Sequence, residues 1–387
     1  MTSLRMDPIV AAESFAGSAR EFGSEAIEQA RRLPEPLARK AIDLGLMRLG
    51  APHEVGGLEA DPATIVRALE LIARDDASAA WVVMIGATTS PMTATYSLEV
   101  SRAAFGPDDV WCGVAAPMGR ARREGDAFRV SGRWPFGSGS QVATWMTGGC
   151  LVMDGDGPTT LANGAPEVRM CLFPISEVTI HDTWRVNGLR GTGSHDWEVA
   201  DVLVPLERTT LLGVDTPWCP RPLFTFPIWG LLSLGIAGVA LGIGRAAIDA
   251  LVALAGAKTP IGSQRRLAER SSIQEQVAKA EATLRGARAF LFEAVDDAWA
   301  TATSGGRPSL KQRAAIRLAA TNVAHSAATV VDGMYTAGGA TANYDSSPLQ
   351  RHFRDIHALT QHVMVQPTTW EMTGRILLGL PPNTPMI

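Results

Sequence analysis

Ser131-Gly132-Arg133-Trp134-Pro135-Phe136-Gly137-Ser138-Gly139-Ser140, followed closely by Ala143-Thr144-Trp145, is the stretch on which the reading of this chain turns. It predicts a short strand carrying aromatics that runs into a glycine-rich turn. Gly137 and Gly139 let a ligand approach the backbone, Ser138 offers a hydroxyl, and Trp134 and Phe136 offer aromatic surface. Such a turn suits a flat heterocycle with a polar edge, such as the isoalloxazine of a flavin. The same residues also suit a plain hairpin, where glycine supplies the required backbone angles.

Composition narrows the field. A chain of 387 residues, 46% apolar and 19% charged, is long enough for two or three domains with sizeable cores. Its net charge of −4, with both signs interspersed, gives no electrostatic footprint for nucleic acid or an anionic membrane. Cys112, Cys150, Cys171 and Cys219 are scattered without metal-ligand spacing. They predict free thiols in a reducing cytoplasm and no zinc. The first residues lack the basic-then-apolar pattern of a secretory signal. Phe226 to Ile243 is uncharged and near the length of a membrane span. Gly230, Gly235, Gly238 and Gly242 crowd it, however, and Arg245 and Asp249 follow in the same helical pattern, so a buried bundle helix is expected.

Three regions differ in texture. Residues 1–108 read as helical, punctuated by Pro34, Pro36, Pro52 and Gly56-Gly57. Residues 109–215 carry short β-branched and aromatic runs separated by Gly, Asp and Pro, which predicts a small antiparallel β-domain. Residues 216–387 return to long helices, expected over 227–257, 264–303, 308–336 and 348–380, a four-helix bundle. The fold class is therefore mainly α with a central β-domain.

That order resembles the acyl-CoA dehydrogenase fold, and the resemblance extends to residues: Trp111-Cys-Gly-Val-Ala-Ala-Pro117, Gly132-Arg-Trp134-Pro-Phe-Gly-Ser138, Asn187-Gly-Leu-Arg-Gly-Thr-Gly-Ser194, Val202-Leu-Val-Pro205, Ala337-Gly338-Gly339 and Pro348-Leu-Gln-Arg351-His-Phe-Arg354-Asp355. Dehydrogenases of this fold use a glutamate base about eight residues after the pair matching Arg354-Asp355, or on the first bundle helix. Here the first window reads His357-Ala-Leu-Thr-Gln-His362-Val363, and Pro227 to Arg245 has no acid. The dehydrogenase Thr-Glu-Pro signature is replaced by Ala115-Ala116-Pro117.

The chain instead resembles the two-component flavin-dependent monooxygenases of this fold, whose Trp-x-Phe-x-Ser-Gly turn is matched by Trp134 to Gly139 and whose later histidine is matched by His362. This resemblance implies reduced FAD or FMN supplied by a separate NAD(P)H-dependent reductase, oxygen as co-substrate, a C4a-hydroperoxyflavin and no metal. It also implies a small aromatic or heteroaromatic substrate. A homotetramer is expected because the apolar helix 227–257 and the Gly338-Gly339 segment need more cover than one chain gives, and because subunits of the resembled fold pair their bundles. Ser138 and His362 are then the catalytic candidates, with Trp134, Phe136, Gly137, Ser138 and Gly139 at the flavin. Arg265, Gly338 and Gly339 would reach its phosphates, and Trp111 and His362 the substrate. The absence of a second histidine between Trp111 and Pro117 favours an indole-like ring over a simple phenol.

Plainer readings stand beside these. Ser138 also satisfies a turn, His362 also fits a core helix, Arg265 a solvated helix start, and Trp111 a core position. His195 and Asp196 read as structural, and His357 is about 500° of helix away from His362, so the two do not make a metal pair. A desaturase with a relocated base and a flavin-binding relative without turnover are the alternatives to an oxygenase.

Overall fold

The computed structural model describes residues 6–384 and 386–387. Six helices come first: α1 (Pro8–Phe22), α2 (Ser24–Ala30), α3 (Glu35–Asp43), α4 (Pro62–Asp75), α5 (Ala77–Thr89) and α6 (Leu98–Ala104). Asp61 and Asp76 cap α4 and α5, each accepting a first-turn N–H and leaving fewer orphan donors at the helix start. α5 is buried on all sides from Ala77 to Thr88, so it is an axle inside the molecule rather than a surface helix.

The central sheet comprises β1 (Trp111–Glu124), β2 (Ala127–Gly137), β3 (Trp145–Asp154), β4 (Gly157–Pro158), β5 (Val168–Pro174), β6 (Thr179–His181), β7 (His195–Pro205) and β8 (Thr209–Thr210). Its order is β6-β7-β2-β1-β3-β5-β8, with β4 on β3. The sheet is mixed rather than antiparallel, because β1 and β3 run parallel. The cause is the crossing from β2: the N–H groups of Thr144 and Trp145 both donate to Val110 O, so β3 starts beside the start of β1 instead of turning back along β2.

The last region holds α7 (Pro222–Thr225), α8 (Ile228–Ala257), α9 (Ser271–Thr303), α10 (Leu310–Gly338), α11 (Pro348–Thr360) and α12 (Thr368–Leu377). α9 begins at Ser271 rather than near residue 264, since Gly262 takes a positive φ and Glu269 folds back to accept the Arg266 N–H. The helix expected over 348–380 is two helices. Thr360 Oγ1 donates to His357 O at the end of α11, and Pro367 has no N–H to continue the ladder. Among the described residues, α8 alone is long and apolar enough to cross a membrane, and 89% of its most apolar window is buried in the protein. Its small residues explain why: a Cβ at Gly242 would fall 2.5 Å from both Ala73 Cβ and Glu70 O, and one at Gly238 2.9 Å from Val66 O. The apolar helix is thus covered by α4.

One loop, 187–194, joins all three regions. From α11, Arg354 donates to Asn187 O and Asp355 Oδ1 accepts the Leu189 N–H at 2.6 Å. From α5, Ser78 Oγ accepts the Gly191 N–H at 3.2 Å. Gly188 lies so close to α11 that a Cβ there would sit 2.0 Å from Arg354 O. Burial pushes the Asp355 carboxyl up to about 7, with Glu28 and Asp76 adding to the shift and the Leu189 bond and Arg351 opposing it.

The folded protein therefore holds the Asp355 proton more tightly than the unfolded chain. Stability from this group is full below pH 4 and is lost as pH rises towards 7. Asn in its place keeps an acceptor for Leu189 without the ionisation. Relative to wild type, Asp355→Asn should gain on the order of 2 kcal/mol of stability between pH 5 and pH 8, read as the difference between their thermal or urea unfolding curves.

Candidate active site

The turn after β2 is built tightly. Ser138 N donates to Phe136 O at 2.8 Å and Gly139 N to Thr192 O at 3.2 Å, which tie the turn to the 187–194 loop. Phe136 pays for this path with a left-handed φ of +63°, a strained value for a residue with a Cβ, and its ring is 67% exposed beside Trp184. Gly139 is at φ +74°, and a Cβ there would meet Cys112 Sγ at 2.9 Å. A Cβ at Gly137 would meet the edge of the Trp197 indole at 2.6 Å. Both glycines are needed for close approach.

Trp134 is not placed to cover a bound ring. Its indole is fully buried, stacks on Trp197 at 4.2 Å between ring centres and donates from Nε1 to Gly149 O. Cross-strand pairing of Trp134 with Trp197 drives both rings into the sheet interior, where Gly119 and Gly132 leave room for them. Trp111 is likewise a core residue rather than a pocket wall. It packs edge-on against Tyr96 and Phe105 and donates to Ala104 O at 2.7 Å. Trp197 Nε1 is buried with no hydrogen-bond partner next to the turn.

Ser138 is buried within a line of polar groups. Trp81 Nε1 on α5 donates to Ser138 Oγ at 3.0 Å. Ser138 Oγ lies 2.6 Å from Ser194 Oγ, which lies 2.7 Å from Thr192 Oγ1, which donates to Leu189 O at 2.8 Å. The other edge of interest is also at Trp81, whose ring meets that of His362 at 5.6 Å in a T-shaped contact. The structure thus brings Ser138 and His362 to one indole. Trp81 went unnoticed in the sequence because it lies in an unbroken apolar run with no polar neighbour to mark it.

His362 is not on a bundle helix but in the turn between α11 and α12. Its N–H donates to Leu359 O, its O accepts from Val365 N, and its Nδ1 accepts from Met364 N at 3.2 Å. With Nδ1 an acceptor, the neutral ring carries its proton on Nε2. α10 fixes the same turn from beneath: Arg317 Nη2 donates to Met364 O at 3.0 Å and His325 Nε2 to Val365 O at 3.0 Å. Burial, and then the Arg317 charge, push the His362 imidazole down to about 4. Its intrinsic pKa near neutrality is therefore not the one it has here.

Arg265 is exposed on the α8–α9 loop, and two residues on Leu267 packs with Ala337. Lys258 Nζ donates to Gly338 O at 3.0 Å and Thr341 Oγ1 at 2.7 Å. Arg265, Gly338 and Gly339 thus share one end of the bundle. Leu349, in the first turn of α11, packs against Gly338, and α11 then runs roughly 17 Å to Thr360, with His362 in the turn beyond it. Within one chain these residues do not meet Ser138 and His362.

The family description "Acyl-CoA dehydrogenase, N-terminal domain" matches residues 11–107, and "Acyl-CoA dehydrogenase, C-terminal domain" matches residues 234–367. An indole-3-acetate monooxygenase of Pseudomonas putida is 33% identical over 99% of this chain and 99% of its own. The flavin-dependent monooxygenase oxygenase subunit HsaA of Mycobacterium tuberculosis is 29% identical over 94% of this chain and 93% of its own. Among solved structures, the 3-HSA hydroxylase from Rhodococcus sp. RHA1 superposes with a TM-score of 0.89 at 26% identity, covering 99% of both chains.

The neutral, Nε2-protonated form of His362 can be observed directly. In nitrogen-15 NMR its ring should hold the Nε2–H tautomer at pH 7 and titrate near pH 4 rather than near 6.5.

Proposed function

The chain belongs to the flavin-dependent monooxygenases built on the acyl-CoA dehydrogenase fold, and from that premise we propose that it hydroxylates an indole-type aromatic at the site formed by Ser138, Trp81 and His362. It is an enzyme, the oxygenase component of a two-component system with a partner reductase and a small-molecule substrate. The indole assignment is supported by the name of the Pseudomonas relative and by the lack of a histidine between Trp111 and Pro117. The observation that carries the site is the convergence of Ser138 and His362 on Trp81.

The residues at the turn fit a flavin. Ser138 keeps a spare lone pair, the Trp197 N–H has no partner, and β1 slips register between Val114 and Gly119, leaving Ala116, Pro117 and Met118 exposed as an apolar rim. Phe136, exposed and held out by its strained φ, takes the covering role that Trp134 cannot. When bound in its reduced form, the flavin supplies electrons that activate oxygen for transfer to the substrate. Ser138 holds the ring edge, while buried Trp81 and the apolar rim keep water away from the reacting atoms.

His362, neutral at pH 7, contributes an Nε2–H donor. It orients an oxygen or a ring heteroatom of the substrate and stabilises negative charge as it develops there, without changing its own charge. This differs from proton exchange, for which Nδ1 is already engaged.

We propose that four chains assemble, supported by the exposed apolar residues Val363, Trp370, Leu377, Leu378 and Leu380 around α12, and by the separation of Arg265, Gly338 and Gly339 from Ser138. In such an assembly those three residues serve a flavin seated on a neighbour. Buried unpaired thiols at all four cysteines support a cytoplasmic location.

Replacing Ser138 with Ala should lower hydroxylated product and raise hydrogen peroxide per reduced flavin consumed. One such bond at a reactive site is worth on the order of 2–4 kcal/mol, and an unchanged product-to-peroxide ratio counts against the role. His362→Ala should cost on the order of a hundredfold in kcat/KM. His362→Asn should recover much of it, since its amide donates from Nδ2 while Oδ1 accepts the Met364 N–H as an Asx turn. An Asn variant as slow as Ala restores the proton-exchange role. Light scattering at micromolar concentration should give four times the chain mass, and a monomer defeats the assembly.

A further inference from the structure

The line of hydroxyls at Ser138 has a fixed direction. Trp81 Nε1–H can only donate, and Leu189 O can only accept. Between them stand three hydroxyls with one proton each, at 3.0, 2.6, 2.7 and 2.8 Å from link to link. Thr192 must spend its proton on Leu189 O, since two oxygens 2.8 Å apart without a proton between them repel. Ser194 must then donate to Thr192, and Ser138 to Ser194. The Leu189 end is itself held, by Trp184 Nε1 on its carbonyl and by Asp355 on its N–H.

Ser138 is left with no proton to offer and one lone pair, because Trp81 occupies the other. We propose that Ser194 and Thr192 are positioning residues, which make Ser138 an acceptor-only group and so select the reduced form of the bound ring. N5 of a reduced isoalloxazine carries a hydrogen and can donate to Ser138. N5 of the oxidised ring has only a lone pair, which would face another lone pair. The selection rests on the flavin reading above, but it is made by two hydroxyls that stand behind Ser138 on the line towards Leu189 O.

Removing Ser194 frees the Ser138 proton to turn outward, where it can donate to N5 of the oxidised ring. Removing the Thr192 hydroxyl leaves Ser194 without its acceptor and loosens the same direction one link further back. Both substitutions should therefore weaken discrimination between the two redox forms, and Thr192→Ser, which keeps the hydroxyl, should not.

The test is anaerobic titration of wild type and variants with FAD and FMN, each oxidised and dithionite-reduced, together with the midpoint potential of the bound flavin. Wild type should bind the reduced form more tightly. In Ser194→Ala and in Thr192→Val the ratio of oxidised to reduced dissociation constants should fall at least about tenfold, lowering the midpoint potential by about 30 mV for a two-electron couple. Thr192→Ser should stay within about twofold of wild type. Thr192→Val carries the test alone if Ser194→Ala does not fold. An unchanged ratio in either folded variant, or a wild type that prefers oxidised flavin, overturns the relay while leaving the oxygenase reading intact. A wild type that binds neither flavin in either form overturns that reading, and the relay with it.

Discussion

The loop 187–194 is the constraint from which the rest of the architecture follows. A buried carboxyl group, that of Asp355, fixes its Leu189 N–H, and the Ser78 hydroxyl fixes Gly191. A file of hydroxyls then runs from the Leu189 carbonyl to Ser138 and Trp81. The hydroxyls on this path are satisfied by one another and by Trp81 and Leu189 O, and leaving a buried polar group unpaired costs about 1–3 kcal/mol. The helical region, the sheet and the bundle are thereby held in one relative arrangement. A ligand seated at Ser138 is positioned by all three.

The cost of this arrangement falls on two elements. α5 must bury its whole circumference to carry Trp81 between Ser138 and His362, and it does so with a run from Ala77 to Thr88 that is apolar apart from Ser78 and Thr88 and has no exposed face. The sheet must hold Trp134 and Trp197 stacked behind the turn, which requires glycine at 119, 132 and 148, where a Cβ would come within 2.4–2.8 Å of the paired indole rings. The aromatic of the motif is thus spent on rigidity. Phe136, forced outward by its left-handed backbone, is the aromatic left free for a ligand.

Much of this was legible in the sequence, for identifiable reasons. Helical periodicity, proline breaks and the switch to β-branched runs announce the three regions, and Ser138 and His362 stand out because polar groups in defined motifs are rare in an apolar chain. What periodicity cannot show is direction. A tryptophan in a strand pattern does not reveal whether it faces ligand or core, and Trp134 and Trp111 both proved to face the core. The parallel β1–β3 pair was hidden because it depends on where the 138–144 crossing lands, which no local signal encodes. Trp81 and Ser194 acquire meaning only through contacts 57 and 56 residues away from Ser138. The break after Thr360 hinges on a threonine back-bond and on Pro367, a residue read as the interior of a helix when only the apolar spacing is followed.

The electrostatics at His362 fit the chemistry expected there better than a carboxylate would. Arg317 is buried, and burial lowers its pKa to about 10. It stays cationic at neutral pH and holds the His362 turn through Met364 O. A carboxylate at position 362 would be drawn into its ionised form by that cation, and in the proposed oxygenase site it would add negative charge where oxygen transfer develops more of it. An imidazole responds in the opposite sense, because the same cation and the same burial keep it uncharged. One buried arginine therefore makes this turn unfit for a base that must be anionic and fit for a neutral donor. It does so through its charge and its bond to Met364 O, without a hydrogen bond to the imidazole itself.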